Sequence, residues 1–457
     1  MAFFRLVWHH RATMMHPDTI KELRDFRKKL VMLFGKRADA LFELCDAAVT
    51  AGLSPSLAYL SLEAVHRRGW GSLYAALAEG EIDVDQARGL VARYLLANGQ
   101  PIYAVDVSVW PRCAAETSPE RAFYHHASRH MKGKPVVAGW AYQLIAQVSF
   151  DRDSWTAPLD AQRVHPREDT EAVAVEQIKA LLAHLPAQAD VPLFLFDTGY
   201  NSVALAEGLG ETPAAILVRL RRDRCFYGDP PPSAGKGRPF RHGAKMAFKD
   251  PTTWPEPTQE HIEQDEQYGT VRVRAWSGLH AVVRDHETKG TRGPRPIVRG
   301  TVIRVEVSRL PGWTRKPQSL WLFYYGPQES NLALLWRAYI HRFDVEHTIR
   351  FFKQTLNWTS PRVRHPEQAD LWTWLIVAAY TQLRLARACV ADQRLPWERQ
   401  LEPDKLTPYR VRRGFPSLLV ALGTPANAPK PCGRSPGRPK GRRSGRATRY
   451  PALKKAA

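Results

Sequence analysis

Residues 339–353, YIHRFDVEHTIRFFK, contain side chains that could grip phosphate groups and hold a metal ion. Tyr339, Arg342, Glu346 and Lys353 stand at offsets of 0, 3, 7 and 14. On an α-helix they fall within roughly 60° of one another, and Arg350 falls on the same face. Arg and Lys bind phosphate, Tyr offers a hydroxyl donor, and a carboxylate among cations can bind a metal. The pattern indicates phosphate chemistry at a metal-binding carboxylate.

The alternative interpretation of this face is a solvated surface with salt links four residues apart, such as Glu346 to Arg350 or Arg342 to Glu346. The flanking residues weigh against a loose surface helix, because apolar side chains would bury its other sides. These side chains are Phe343, Ile349, Phe351, Phe352 and Leu356.

The overall charge predicts a polyanionic partner. The chain has 457 residues, a net charge of +21 and a pI near 9.9. This length allows about two to four domains, and nucleic acid is the usual partner of so basic a protein. An anionic membrane surface is the competing idea, but no lipidation signal or basic amphipathic helix supports it.

The cysteines and the apolar runs predict a protein of the reducing cytoplasm. The five cysteines are scattered without a Cys-x2-Cys pair, so neither a zinc site nor a disulfide framework is indicated. The first residues contain too short an apolar run for a signal peptide. No apolar stretch reaches about 18 residues, so no membrane span is expected.

Two aspartates stand where an α/β sheet could bring them together. Asp106 lies in the middle of PIYAVDVSVW, whose β-branched and aromatic residues predict a buried strand. Asp197 ends the apolar strand VPLFLFD, at the carboxyl edge where such sheets place ligand-handling residues. A carboxylate inside an apolar strand is costly unless it is paired or metal-bound, and simple hydrogen bonding is the structural alternative for Asp106.

The ungapped pattern Tyr-x2-Arg-x3-Glu-x6-Lys resembles the signature of the IS-four superfamily of insertion-sequence transposases. These are DDE enzymes with an RNase H-like core. The resemblance implies that Asp106, Asp197 and Glu346 are the catalytic acids and the ligands of Mg²⁺, for which Mn²⁺ can substitute. It also implies that DNA phosphates are held by Tyr339, Arg342, Arg350 and Lys353.

The resemblance further implies a reaction and its partners. Two metal ions would support cleavage at insertion-sequence ends and strand transfer into target DNA. The expected partners are double-stranded DNA, both terminal repeats and target, and a second copy of the chain in a homodimeric complex. The expected location is the cytoplasm, associated with the nucleoid.

The predicted fold is α/β, with an RNase H-like core interrupted by a mainly β insertion, an N-terminal helical domain and a disordered basic C-terminal tail. The insertion is inferred because about 150 residues separate Asp197 from Glu346. The expected boundaries are 1–17 disordered, 18–98 helical and DNA-binding, 99–218 the first part of the core, 219–318 the insertion, 319–390 the second part of the core and 391–457 the C-terminal region and tail.

The insertion and the tail hold further candidates for DNA contact. In relatives an aromatic side chain of the insertion can stack on an extruded base, and Trp254, Trp276 and Trp313 are candidates, with packing as the alternative for each. The tail sequence SPGRPKGRR resembles an AT-hook, with Arg438, Arg442 and Arg443 for the minor groove. Non-specific duplex binding is the alternative for the tail.

Three other functions remain open from the sequence. A nuclease with the same carboxylates would cut DNA without joining it. A DNA-binding derivative of a transposase would be expected to lose an acid, and a basic nucleoid protein needs no buried acids.

Overall fold

The structure is a computed structural model, and it describes most of the chain. The described residues are 17–52, 56–96, 100–125, 135–151, 153–187, 190–232, 235, 240–282, 297–312, 317–431, 437, 441 and 445–454. They divide into two compact units. The helical unit lies within residues 17–91, 153–155 and 349–449, and the sheet unit lies within 92–152, 156–348 and 450–454.

One mixed sheet forms the framework of the sheet unit. Its described strands are β1 Ile102–Pro111, β2 Ala122–His125, β3 Val136–Gln147, β4 Ala157–Val164, β5 Leu193–Phe196, β6 Ala215–Leu220, β7 Cys225–Tyr227, β8 Lys245–Ala247, β9 Gln259–Asp265, β10 Gly269–His280, β11 Arg299–Val307 and β12 Leu320–Tyr325.

The order of the strands is β2-β3-β1-β5-β6-β12-β11-β10-β7-β8, with β4 paired to β3 and β9 paired to β10. Strand β1 runs antiparallel to β3 and parallel to β5, and β5 runs parallel to β6. All four residues of β5 are buried, as expected for a strand covered on both faces.

The predicted insertion is β-rich, but its strands continue the core sheet. Strand β12 pairs antiparallel with β6 on one side and with β11 on the other. Residues 219–318 therefore extend the sheet through β7–β11, because β12 leaves an edge that further strands can pair with. Their core contains the ring stack of Phe248 on Trp321, with centroids 4.1 Å apart.

Three helices of the sheet unit begin at side-chain caps. They are α6 Thr170–Leu182, α7 Ser202–Leu209 and α8 Leu332–His341. The caps are Asp169, Asn201 and Asn331, whose side chains accept hydrogen bonds from backbone N–H groups of the first turn. These caps fix where the chain turns from the sheet into each helix.

The helical unit combines an N-terminal segment of the chain with a later segment that begins at residue 349. Its helices are α1 Pro17–Met32, α2 Ala38–Thr50, α3 Leu57–Leu60, α4 Trp70–Glu79, α5 Val84–Ala92, α10 Pro366–Ala386 and α11 Pro408–Leu422. Helix α9, Asp344–Gln354, begins in the sheet unit and continues into the helical unit after Thr348. The predicted separate domain at 18–98 thus differs from the structure, in which α2 packs on α10.

A buried ion pair joins the helices of this unit. Arg27 and Asp46 are nearly inaccessible, and two hydrogen bonds of 2.7 and 2.8 Å connect them. Arg27 also donates to Gln382 on α10. Arg27 on α1 is therefore bonded both to α2 and to α10.

Part of the expected disordered tail is ordered against the sheet unit. The Tyr450 N–H donates to the Glu116 carbonyl at 2.7 Å, and the Leu453 N–H donates to the Arg121 carbonyl at 2.7 Å. Disorder is therefore wrong for residues 450–453, because their backbone groups find partners on the sheet unit. The expected disordered segment 1–17 lies outside the described residues except for Pro17, which begins α1. The tail residues Arg438, Arg442 and Arg443 also lie outside them.

None of the helices formed by the described residues is long and apolar enough to cross a membrane.

We predict that Arg27→Met lowers the free energy of unfolding by about 3–5 kcal/mol, because Asp46 would be left buried without its partner. Denaturant unfolding of the purified protein measures the change. The control is Arg37→Met, whose exposed pair with Glu79 should contribute less than about 1 kcal/mol. Equal losses in both variants would contradict a special role for the buried pair.

Candidate active site

The pairing of β1 with β5 brings the two aspartates to neighbouring positions. Ala104 on β1 pairs with Leu195 on β5 in parallel register. Asp106 and Asp197 each follow their paired residue by two positions, and both side chains are partly buried. The parallel register therefore carries both carboxylates to the same edge of the sheet, as the sequence predicted.

Glu346 reaches this edge from a second helix. The sequence predicted one helix through Tyr339, Arg342 and Glu346, but α8 ends at His341 and α9 begins at Asp344. Backbone hydrogen bonds between residues three positions apart form the turn. In one of them the Glu346 N–H donates to the Phe343 carbonyl at 3.1 Å. The single-helix prediction is therefore wrong, since these side chains meet across a turn.

Two side-chain contacts fix the start of α9 in the sheet unit. His341 Nδ1 lies 3.0 Å from Asp344 Oδ2 and links the end of α8 to the start of α9. Thr348 Oγ1 lies 2.8 Å from Thr156 Oγ1 in a buried hydrogen bond. Glu346 lies between these two anchors, so its position along the helix is well constrained.

Arg342 occupies the turn and binds Glu346. Its side chain is 2 % exposed, and Nη2 donates to Glu346 Oε1 at 2.8 Å. The guanidinium also lies over the ring of Phe343, 4.8 Å from the centroid. Nε and Nη1 find no acceptor among the described residues. Such a buried cation needs nearby negative charge, because desolvation alone would be costly.

The pKa of Asp106 shows that the three acids interact. Burial raises the pKa of this carboxyl to about 6, against an ordinary value of 3.8. The positive charge of Arg342 works against the rise, whereas the negative charges of Glu346 and Asp197 add to it. Asp106 therefore lies within electrostatic reach of both other acids and of the arginine.

The same charges act on Arg342 and Tyr339. Burial lowers the pKa of Arg342, but Tyr339, Asp106, Asp197 and Glu346 outweigh that effect and the net pKa is raised. Burial raises the pKa of Tyr339 to about 12, with Arg342 opposing the shift. Tyr339 therefore stays a neutral phenol, and its side chain is almost inaccessible.

Arg219 is a neighbour of the site that the sequence analysis did not single out. Its Nη1 lies 3.7 Å from Asp197 Oδ1, and both side chains are about 40 % exposed. Arg219 stands near the carboxyl end of β6, beside Asp197 at the end of β5. A cation at the end of an apolar strand was the signal available for it. The site thus opens to solvent on the side of Asp197.

A buried polar chain supports the site from behind, and it was also missed. The Tyr200 hydroxyl donates to Gln143 Oε1 at 3.0 Å, Gln143 donates to Gln177 Oε1 at 2.9 Å, and Gln177 donates to Asp160 Oδ2 at 2.9 Å. Burial raises the pKa of Tyr200 well above its usual range, with Asp106 adding to the shift. Gln143 inside an apolar strand was the signal for this network.

The remaining candidates for phosphate contact lie farther along α9. Arg350 is exposed and Lys353 is partly buried. Arg350 stands one helical turn after Glu346, and Arg350 and Lys353 belong to the part of α9 that continues into the helical unit.

The candidate stacking tryptophans divide into three cases. Trp276 is 2 % exposed and donates from Nε1 to the Pro255 carbonyl at 2.8 Å, so it is a core residue. Trp254 is partly buried, and the Arg304 guanidinium lies over its ring, 4.6 Å from the centroid. Trp313 lies outside the described residues. Packing therefore accounts for Trp276.

The three carboxylates have the right chemistry for a hard divalent cation, but the side chains do not form a complete ligand set. Mg²⁺ prefers oxygen ligands, and Asp197 Oδ1 accepts no hydrogen bond from the described residues. Yet within the described part of the chain no three His, Cys, Asp or Glu side chains are grouped closely enough to hold a metal ion. Glu346 is bonded to Arg342 instead.

The chain matches a family of known proteins. A family described as DDE superfamily endonuclease matches residues 29–281, which is just over half of the chain. The matched range contains Asp106 and Asp197 but ends before Glu346. No curated protein matches the chain.

We predict that Asp106→Asn stabilises the protein more at pH 8 than at pH 4.5. The pKa of Asp106 is raised from 3.8 to about 6, so ionising this carboxyl costs stability as the pH rises through that window. Asparagine avoids the cost, and the gain should be about 2 kcal/mol larger at pH 8 than at pH 4.5. Denaturant unfolding at the two pH values measures it.

The control for this prediction is Asp229→Asn. A hydrogen bond from Arg299 lowers the pKa of Asp229, so its contribution is fully present above about pH 4. Its substitution should therefore change stability by a similar amount at both pH values. A gain from Asp106→Asn that did not vary with pH would show that its carboxyl titrates normally.

Proposed function

Because this chain belongs to the DDE superfamily endonuclease family, we propose that it is a DNA transposase of the IS-four type. It would cut DNA at the ends of an insertion sequence and join those ends to target DNA. The family supports an endonuclease that acts on DNA; the transposition reaction and its substrates are our proposal.

The observation that carries the proposal is the parallel register of β1 with β5, which brings Asp106 and Asp197 to neighbouring positions, with the charges of Arg342 and Glu346 also acting on Asp106. Glu346 lies outside the range matched by the family, so its assignment as the third acid is part of our proposal. A DDE reaction would use three acids at one sheet edge, and we assign these roles to Asp106, Asp197 and Glu346.

We assign the ligand role to Asp106, Asp197 and Glu346, with Mg²⁺ as the ion and Mn²⁺ as a substitute. A bound ion of this kind would activate the attacking oxygen and neutralise charge on the leaving oxygen. For Glu346 to serve as a ligand, its bond to Arg342 must loosen. Binding of a metal should therefore be accompanied by a local change at the turn between α8 and α9.

Arg342 and Tyr339 would act mainly by positioning. Both side chains are buried, so direct contact with a phosphate would require them to move. In their present places Arg342 orients Glu346, and its charge offsets the mutual repulsion of the acids. Arg350 is the exposed cation of this set, and with Lys353 it would bind DNA phosphate.

Several finer points of the proposal follow from the fold and the charge. The antiparallel β3–β1 pair followed by parallel β5 and β6 supports an RNase H-like core. The helical unit would bind the terminal repeats, and Trp254 remains the candidate for stacking on an extruded base. Two ends must be joined, so we expect a homodimer on DNA. The net charge of +21 suits a protein associated with the nucleoid.

The proposal predicts that Glu346→Gln abolishes DNA cleavage and joining without abolishing DNA binding. The substrate is DNA carrying the ends of the element that encodes the chain, incubated with and without Mg²⁺. Glutamine keeps the size of the side chain but removes its charge. We expect the rate of product formation to fall at least about a hundredfold, which is the usual effect of losing one electrostatic contact to the reacting centre.

The matched control is Glu176→Gln, which removes an exposed carboxylate from α6. It should cleave and join DNA like the parent. Products from Glu346→Gln at the parental rate would refute the assignment of this acid. Cleavage without joining by the parent would make the chain a nuclease, and tight binding without either reaction would make it a DNA-binding derivative.

A further inference from the structure

A basic groove begins beside the carboxylates and lies within the sheet unit. It has two compartments of about 490 and 480 Å³, and residues at the end of β6 and just after it line both. Thr198, Arg219 and Arg221 line both compartments. We call it the arginine groove and define it by its six cationic side chains, Arg219, Arg221, Arg222, Arg224, Lys245 and Lys249.

The groove is connected to the candidate active site at one end. Thr198 follows Asp197 directly, and Arg219 Nη1 is 3.7 Å from Asp197 Oδ1. A polymer with one unit at the carboxylates could therefore place its neighbouring units in the groove.

The backbone that carries these cations is held in place. Residues 221–224 turn between β6 and β7, with the Arg224 N–H donating to the Arg221 carbonyl at 3.2 Å. The Phe248 N–H donates to the Arg224 carbonyl at 3.1 Å, and Tyr227 pairs with Lys245 across β7 and β8. The charges thus project from a paired framework.

Four of the cations lack partners within the described part of the chain. Arg221, Arg224, Lys245 and Lys249 are exposed, and none makes an ion pair or side-chain hydrogen bond with a described residue. Arg222, by contrast, donates to Gln318 Oε1 at 2.8 Å. Asp223 is the single carboxylate among the residues that line the groove. Such a concentration of positive charge repels itself, and a row of phosphates would relieve the repulsion.

We propose that the arginine groove binds the phosphodiester backbone of the DNA strand that continues from the reacting phosphate. Arg221 and Arg224 would each contact a phosphate as charged donors. The assignment rests on the proposed function for the identity of the polymer, and it adds a binding site that the three acids and the residues of α8 and α9 do not provide.

The test compares salt dependence of DNA binding by the full chain and by Arg221→Gln/Arg224→Gln. Binding of labelled duplex and single-stranded oligonucleotides is followed by fluorescence anisotropy in EDTA, which prevents cleavage. Each lost phosphate contact should flatten the slope of log K against log salt by about 0.9 for duplex or about 0.7 for single strand. The slope of the double variant should therefore be flatter than that of the parent by about 1.8 for duplex or by about 1.4 for single-stranded DNA. The DNA form whose slope changes in this way is the form that occupies the groove.

The control is Arg167→Gln/Lys179→Gln, which removes the same charge from exposed residues of the sheet unit that do not line the groove. Its slope should stay near that of the parent. An equal loss in both double variants, or weaker binding with an unchanged slope, would overturn the proposal. Melting temperatures confirm folding, and each single variant should show half of the change.

The two proposals fail separately. If Arg221→Gln/Arg224→Gln cleaves DNA like the parent and its salt dependence is unaltered, the proposed role of the groove is refuted and the transposase proposal stands. If the double variant shows a flatter salt slope but the parent never cleaves DNA, the groove is a DNA-binding site and the proposed reaction is refuted.

Discussion

The buried guanidinium of Arg342 is the charge on which the candidate site depends. Three acids that converge at one edge of a sheet repel each other, and Asp106 is also desolvated. Arg342 supplies a compensating positive charge and bonds directly to Glu346. The arginine is itself buried, so it depends on the acids as much as they depend on it. This mutual dependence explains why the turn between α8 and α9 can be tight and well packed around a charge.

The sheet sets the positions that this charge network uses. The register of β1 with β5 fixes Asp106 beside Asp197, and β6, next in the sheet, brings Arg219 to the same edge. In the sheet, β11, β10, β7 and β8 lie beyond β12 and widen it. Lys245 on β8 and the nearby Lys249 line the arginine groove on this added part. The acids and the arginine groove are therefore parts of one framework, with negative charge at the core strands and positive charge where the added strands begin.

Charge is used differently in the helical unit. Arg27 looks from the sequence like one of several basic residues for DNA, but it is buried in a bidentate pair with Asp46. Glu43 is likewise buried and bound by Arg67 and Arg68. A positive net charge therefore does not identify which cations face a polyanion. Burial distinguishes Arg27 from the exposed arginines Arg221, Arg222 and Arg224.

The sequence alone determined the local elements and the residue types of the site. Alternation and apolar runs placed Asp106 inside a strand and Asp197 at the end of one, and the spacing from Tyr339 to Lys353 singled out Glu346. Those features depend on contacts within a few residues, which a sequence displays directly. The tertiary structure alone decided the break between α8 and α9, the burial of Arg342, and the joining of residues 17–91 with residues after 349 in one helical unit. It also decided that the insertion continues the core sheet. Each of these depends on partners distant in sequence, whose desolvation and pairing no local pattern encodes.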